Sequence, residues 1–330
     1  MLALGIETSC DDTSLALVED GVLLECLTKS QDQHSGFGGV VPEQASREHA
    51  KNLSPLFTGL LEKTGLKACD IGLVAASQGP GLVGALLAGV QFGRGLSLSL
   101  NCQYFPVNHL EGHIYSPFLH DAVLPDFPWL ILLVSGGHTM LILAKAPFSY
   151  RILGGTTDDS VGECFDKVAR YLDLGYPGGP AIERLSAGGN SIFRLPRSFL
   201  REESYRFSYS GLKTATLKLA DDRKTGISDL CASFQEAAIE PLITKTVRAC
   251  REFHPYSLLV AGGVSANESL RSECLRVSRE EGCKLFLPAK KWAMDNAGMV
   301  AAAAYHRWKS GAVNPGYRLC VDPGMTLYQP

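Results

Sequence analysis

Several familiar devices are missing from this sequence. Its ten cysteines (Cys10, Cys26, Cys69, Cys102, Cys164, Cys231, Cys250, Cys274, Cys283 and Cys320) never come closer than nine residues apart, so there is no C-x-x-C knuckle or dithiol motif. The first twenty residues lack a basic stretch followed by a cleavable apolar one. The expectation is therefore a cytoplasmic chain with reduced thiols. No uninterrupted apolar run, Trp129–Val134 being among the longest, nears the about 18 residues that cross a bilayer, so no membrane is expected. There is no G-x-x-x-x-G-K-[ST] phosphate loop. Charge is sparse, at 20% of residues with a net −3, which excludes a polycation but not a local basic stripe.

What is present is apolar material, 45% over 330 residues, enough for two domains or one large bilobal unit. One pattern runs twice. Strands at 2–7, 14–19 and 22–28 precede a helix at 42–63, a strand at 71–77, a glycine turn, a helix at 84–100 and a strand at 104–107. Strands at 129–134, 139–143 and 150–153 precede helices at 160–172 and 229–253, a strand at 257–261, a glycine turn, a helix at 266–281, a strand at 284–287 and a last helix at 295–309. Hairpins followed by crossover helices give mixed sheets covered by helices. The expected architecture is α/β, a duplicated actin/Hsp70/sugar-kinase-like (ASKHA) fold with two lobes around a nucleotide cleft. Residues 1–108 form the N-terminal lobe core, with part of the C-terminal helix packing back on it. Residues 109–330 form the C-terminal lobe, with an insertion at 188–225.

Gly79-Pro-Gly81-Leu-Val-Gly84 matches G-x-G-x-x-G literally, but the next strand ends at Val107-Asn108 without the ribose-binding acid of a dinucleotide site. The turns Ser135-Gly136-Gly137-His138 and Gly262–Asn267 are better phosphate cradles, since their backbone amides can converge on an anion. His109-Leu-Glu111-Gly-His113 sets two imidazoles four residues apart, a spacing that on a helix shares one face and can chelate one metal. A zincin carries its acid directly after the first histidine; here it is the third residue, turned to the opposite side. A carboxylate must come from elsewhere, and Asp295, expected on the opposing lobe, is the candidate. Two histidines and a carboxylate suit iron(II) or zinc with open positions. Asp11 and Asp12 lie in the first hairpin turn, either as turn formers or as acids of the site. Arg194, Arg197, Arg201, Arg206 and Lys213 alternate with Phe193, Phe199, Tyr205, Phe207 and Tyr209, a pattern that suits single-stranded RNA or a solvated insertion equally.

Taken in order, these motifs resemble the TsaD family of tRNA adenosine threonylcarbamoyltransferases, formerly labelled O-sialoglycoprotein endopeptidases. The match rests on Gly5-Ile-Glu-Thr-Ser-Cys-Asp11-Asp12-Thr13, Gly38-Gly-Val-Val-Pro-Glu43 with Ser46-Arg47 and His49, and Gln78-Gly-Pro-Gly-Leu-Val-Gly84. It continues through His109-x-x-x-His113, Val134-Ser-Gly-Gly-His-Thr139, Gly162-Glu-x-Phe-Asp166-Lys and Tyr176-Pro-Gly-Gly-Pro180. Phe207-Ser-Tyr-Ser-Gly-Leu-Lys213, Ala261-Gly-Gly-Val-Ser-Ala-Asn267 and Asp295-Asn296 complete it. Two departures stand out: Ala293-Met294 where the family often has Cys-Thr, and the tail after Gly316.

The resemblance implies one divalent metal, iron(II) ahead of zinc, on His109, His113 and Asp295. It implies an adenylate (threonylcarbamoyl-AMP, with ATP or AMP as analogues) against Leu133, Val134, Ser135, Gly136, Gly137, Asp166, Gly179, Glu183 and Asn267, and a catalytic role for Asp11. The implied reaction moves threonylcarbamoyl to the exocyclic amine of the adenosine 3′ of the anticodon in tRNAs reading codons that begin with A. The implied partners are tRNA through its anticodon loop, a TsaB-like paralogue, a TsaE-like ATPase and a separate synthase of the adenylate. A kinase of the same fold, a metallopeptidase and a non-catalytic scaffold are the alternatives.

Overall fold

The computed structural model describes residues 1–31, 41–222, 226–312 and 321–327. The Gly38–Val40 part of one motif, residues 223–225 of the expected insertion and residues 317–320 and 328–330 of the divergent tail lie outside the described residues. The first set of elements is β1 (Leu2–Glu7), β2 (Asp12–Glu19), β3 (Val22–Ser30), α1 (Pro42–Thr64), β4 (Leu73–Gly79), α2 (Val83–Leu100), β5 (Gln103–Asn108) and α3 (His109–Tyr115). The second is β6 (Trp129–Val134), β7 (Thr139–Ala146), β8 (Ser149–Gly155), α4 (Val161–Tyr171), α5 (Gly178–Ser186), α6 (Ser210–Ala220), α7 (Ile227–Phe253), β9 (Ser257–Ala261), α8 (Glu268–Glu281), β10 (Lys284–Phe286) and α9 (Ala297–Lys309).

The duplication read from the sequence is carried by the strand order. One sheet runs β3-β2-β1-β4-β5 and the other β10-β9-β6-β7-β8, the same order from opposite ends. In each, the first strand pairs antiparallel with the second (Leu2↔Glu19, Trp129↔Ala144) and parallel with the fourth (Ala3↔Leu73, Trp129↔Ser257). Both central strands, LALGIE and WLILLV, are buried along their whole length. That is what a strand covered by helices on both faces requires. Leu4, Ile6, Leu15, Leu17, Leu53 and Val74 belong to one core, and Leu130, Leu132, Val134, Phe165, Phe234 and Val260 to the other.

The chain divides into two units, Met1–Leu124 with the segment from Met294, and Pro125–Ala293. This division falls beyond residue 108, so α3 stays with the first sheet. α9 also returns to the first unit, where it packs on β1 and β2. α2 is the one described helix long and apolar enough to cross a membrane, although no uninterrupted run in the sequence is; it packs against α1 and β4. The expected insertion contains α6, and Phe207 and Tyr209 beside it are buried in the second core.

Candidate functional site

The metal-ligand set is built where β5 runs straight into α3. Asn108 caps the helix, its Oδ1 accepting from Leu110 N at 2.9 Å. The two histidines then fall on one face, with ring centroids 4.8 Å apart. Asp295 precedes Asn296, whose Oδ1 caps α9 by accepting from Met299 N at 3.0 Å. Asp295 Oδ1 stands 3.1 Å from His113 Nε2 and 3.6 Å from His109 Nε2. One ligand atom from each of the three lies within 4.8 Å of the others.

Asp295 therefore sits in the same unit as the histidines, not on the opposing lobe as the sequence suggested. The reason is how tightly α9 docks on the first sheet. A Cβ on Gly5 of β1 would fall 2.1 Å from the Ala297 carbonyl, so glycine lets the helix start against the strand. Ala297 N donates to Ser14 Oγ at 3.0 Å. Glu111, the acid between the histidines, points away from them and takes Arg307 of α9 on both oxygens, at 2.6 and 2.7 Å. It is a structural acid, which agrees with the absence of a zincin arrangement.

The donor set fits a borderline divalent ion, and two observations support that. His113 is fully buried; its Nε2 lies 3.1 Å from Asp295 Oδ1 without hydrogen-bond geometry, and its Nδ1 makes no hydrogen bond among the described residues. A buried imidazole without a well-formed hydrogen bond is costly unless something else claims its nitrogen. The second observation was missed in the sequence. Glu7, at the end of β1, accepts from His109 Nδ1 at 3.0 Å, which turns Nε2 toward Asp295. Ser9 N and Ser77 Oγ also donate to Glu7. Burial alone would raise the Glu7 carboxyl, but His109 outweighs it and the net direction is down. Burial pulls His109 down, but the carboxylates of Glu7 and Asp295 outweigh it and push it up to about 9. The signal for Glu7 was available: a lone acid in an apolar strand needs a partner.

Asp11 lies in the turn before β2, held by the fully buried His49 of α1. His49 Nε2 donates to the Cys10 carbonyl at 3.0 Å, leaving Nδ1 to accept from Thr13 Oγ1 at 2.8 Å. Burial raises the neighbouring Asp12 carboxyl, with Asp11, Asp295 and Glu7 adding in the same direction.

The second unit gathers the expected nucleotide residues. Leu133 and Val134 are fully buried at the end of β6 that leads into the turn. Ser135 N and the His138 carbonyl close the turn at 2.8 Å. Gly262, at φ +89°, packs its Cα so close to that turn that a Cβ would fall 2.4 Å from the Val134 carbonyl. The two glycine turns therefore meet. By contrast, a Cβ on Gly136, Gly137 or Gly179 would meet nothing within 4 Å. Asp166 Oδ1 accepts from Gly178 N at 2.8 Å and holds the start of α5; burial raises its carboxyl. Glu183 accepts from Glu268 N at 2.6 Å, and Asn267 caps α8 by accepting from Leu270 N at 3.0 Å.

The basic stripe is reduced by the structure. Arg197 pairs with Glu236 and Glu240, Arg206 with Glu202, and Lys213 with Asp159. Arg194 and Arg201 remain exposed. Nine of the cysteines are described, and all are free thiols.

Residues 21–302 match the family model described as TsaD, tRNA N6-adenosine threonylcarbamoyltransferase. A protein of that name from Kosmotoga olearia is 45% identical over 317 residues, 96% of each chain. Another from Carboxydothermus hydrogenoformans is 47% identical over 315 residues, 94% of each chain. Among solved structures, HypF of T. kodakarensis superposes with a TM-score of 0.61 at 14% identity, over 94% of this chain and 48% of that one. The activator of the 2-hydroxyisocaproyl-CoA dehydratase from Clostridium difficile does so with a TM-score of 0.53 at 14% identity, over 94% of this chain and 97% of that one. These likenesses agree with the actin/Hsp70/sugar-kinase class of fold. On this evidence the chain belongs to the TsaD family of tRNA N6-adenosine threonylcarbamoyltransferases.

Proposed function

We propose that this chain is an acyltransferase that moves the threonylcarbamoyl group from threonylcarbamoyl-AMP to the exocyclic amine of an adenosine in tRNA, the one 3′ of the anticodon in tRNAs reading codons that begin with A. The observation that carries the reading is the His109–His113–Asp295 cluster, with Glu7 behind it, in a chain of this family. His109, His113 and Asp295 would hold a divalent ion, iron(II) ahead of zinc, which would supply Lewis acidity when bound. Glu7 orients His109, and the Glu111–Arg307 pair keeps α3 against α9. The carboxylate of Asp11 is the base that takes up the proton lost by the attacking amine, while AMP leaves the carbamoyl carbon. Gly136, Gly137 and Gly179 offer open backbone to the AMP moiety, and Asp166, Glu183 and Asn267 fix the surrounding turns. An aryl amine is a weak nucleophile, so positioning supplies much of the acceleration. The anticodon loop is single-stranded, which makes presenting the base cheaper than from a duplex. The reading implies a cytoplasmic enzyme fed by a separate synthase and working with a TsaB-like paralogue and a TsaE-like ATPase.

The test is one assay. The purified chain, with and without those partners, is given threonylcarbamoyl-AMP and unmodified tRNA, and the nucleosides are analysed. Threonylcarbamoyladenosine is expected. Its absence under every condition, with nucleotide still bound, favours a scaffold, while ATP consumption without tRNA favours a kinase. His109→Ala with His113→Ala is expected to lose both bound metal and product; full activity in that metal-free variant ends the metal assignment. Asp11→Asn is expected to bind AMP normally and lose transfer.

A further inference from the structure

We infer that Gln235, in the middle of α7, is a positioning residue for the nucleotide turn, setting the orientation of Asn267 and the spacing of α5 and α8. This rests on reading the second unit as the adenylate-binding one.

The hydrogen bonds around Gln235 have only one possible polarity. Leu270 N can only donate, so Asn267 presents Oδ1 to it, at 3.0 Å. Asn267 Nδ2 therefore points to Gln235 and donates to its Oε1 at 2.8 Å. Gln235 Nε2 is then left to donate to Ser186 Oγ at 2.9 Å and Ser269 Oγ at 3.0 Å. Ser186 Oγ can accept, because its own proton goes to the Glu183 carbonyl at 2.7 Å. The Glu183 carboxylate closes the ring on Glu268 N, next to Asn267. One buried amide thus joins three helices in a ring whose donors and acceptors are all assigned. An amide in that place fixes geometry more than stability, since each member is satisfied only in one orientation. Glu183 and Asn267, two of the expected adenylate contacts, are both members. In the sequence Gln235 is an unremarkable polar residue among the apolar positions of a long helix, and no motif drew attention to it.

The test is AMP affinity by isothermal titration calorimetry, with urea denaturation on the same proteins. Gln235→Leu removes both halves of the amide and is expected to weaken AMP binding about tenfold or more. Gln235→Glu keeps the acceptor for Asn267, and Ser269, whose proton is not committed, can turn to donate to it; its loss of affinity is expected to be clearly smaller than that of Gln235→Leu. In an Asn267→Ala background Gln235→Leu is expected to add little, because the orientation it controls is gone. If Gln235→Leu does not fold, Ser186→Ala with Ser269→Ala decides instead, by releasing the amide, and is expected to weaken AMP binding about three- to tenfold. Parental affinity in Gln235→Leu or in the serine pair overturns the inference. So does an equal loss in Gln235→Glu, or a full additional loss on top of Asn267→Ala. A parent chain that does not bind AMP removes the adenylate reading itself, which is a different failure.

Discussion

The carboxylate of Glu7 accepts from His109 Nδ1 at 3.0 Å, and that bond decides which ring nitrogen of His109 faces Asp295. A histidine ligand usually gives its second nitrogen to a carboxylate or carbonyl, which fixes the ring and raises its basicity. Glu7→Ala should therefore weaken metal binding by about 10–100-fold, and Glu7→Gln, which can still accept, by less. Competition with a chelator of known affinity measures this without any assay of transfer. Parental affinity in Glu7→Ala would mean that His109 is oriented by its packing alone.

Glu111 and Arg307 tie α3 to α9. Glu111 is nearly inaccessible and Arg307 is about a third exposed, at side-chain values of 3% and 32%. Arg307→Met leaves a buried carboxylate without its cation. Breaking a fully buried pair costs about 3–5 kcal/mol, and the partial exposure here argues for about 2–3 kcal/mol in urea denaturation. The double variant Glu111→Leu with Arg307→Met is expected to recover most of that loss. Because α9 begins next to Asp295, Arg307→Met should also weaken metal binding.

Most of the fold was legible because it is written in short-range pattern. β1 and β6 were read to the residue, since unbroken apolar runs bounded by polar turns leave little choice. α3 and α5 were not read as elements. Each is short, one following a strand without a loop and the other opening on glycines, so neither displays a helical period long enough to recognise. Asp295 was read as a candidate ligand on the opposing lobe, although part of the last helix was expected to pack back on the first. What returns it to the first sheet is the space above Gly5, and the absence of one Cβ carries no periodic signal. Phe207 and Tyr209 were left between an RNA-binding stripe and a solvated insertion, because aromatic and basic residues alternate there. Alternation cannot say which partner turns inward, and here the aromatics fill the core while Arg197 and Lys213 find carboxylates.

Gly262 combines a left-handed φ of +89° with a Cβ position 2.4 Å from the Val134 carbonyl. A side chain there meets both backbone strain and a clash with backbone that cannot yield easily. Gly262→Ala is expected to lower the free energy of unfolding by about 1–3 kcal/mol. It should also weaken AMP binding, because it separates the two glycine turns. A variant as stable as the parent would mean that the second sheet relaxes at this point without cost.

Lys245 offers a test by pH. It is buried in α7, and its Nζ donates to the carbonyls of Phe199 at 2.9 Å and Ser204 at 2.7 Å. Burial, followed by the cation of Arg248, lowers its pKa to about 8, with Glu202 opposing and Arg206 adding to the fall. An unfolded lysine titrates near 10.4. Between those two values the unfolded chain binds more protons than the folded one, so stability must rise with pH across that interval. Below about 8 both states are protonated and this contribution is flat, with the folded chain carrying the penalty of a buried ammonium. Above about 10.4 both are neutral and the penalty is gone. Lys245→Met removes the titrating group, so the parent should gain stability relative to the variant between pH 8 and 10. Its two carbonyl bonds are also lost, which should cost about 1–3 kcal/mol at pH 9, tempered by the Arg248 donation to the Ser204 carbonyl at 2.6 Å. Urea denaturation of both proteins at pH 7.5, 8.5 and 9.5 measures the difference directly. A constant gap between them would mean that Lys245 keeps its ordinary pKa in the fold.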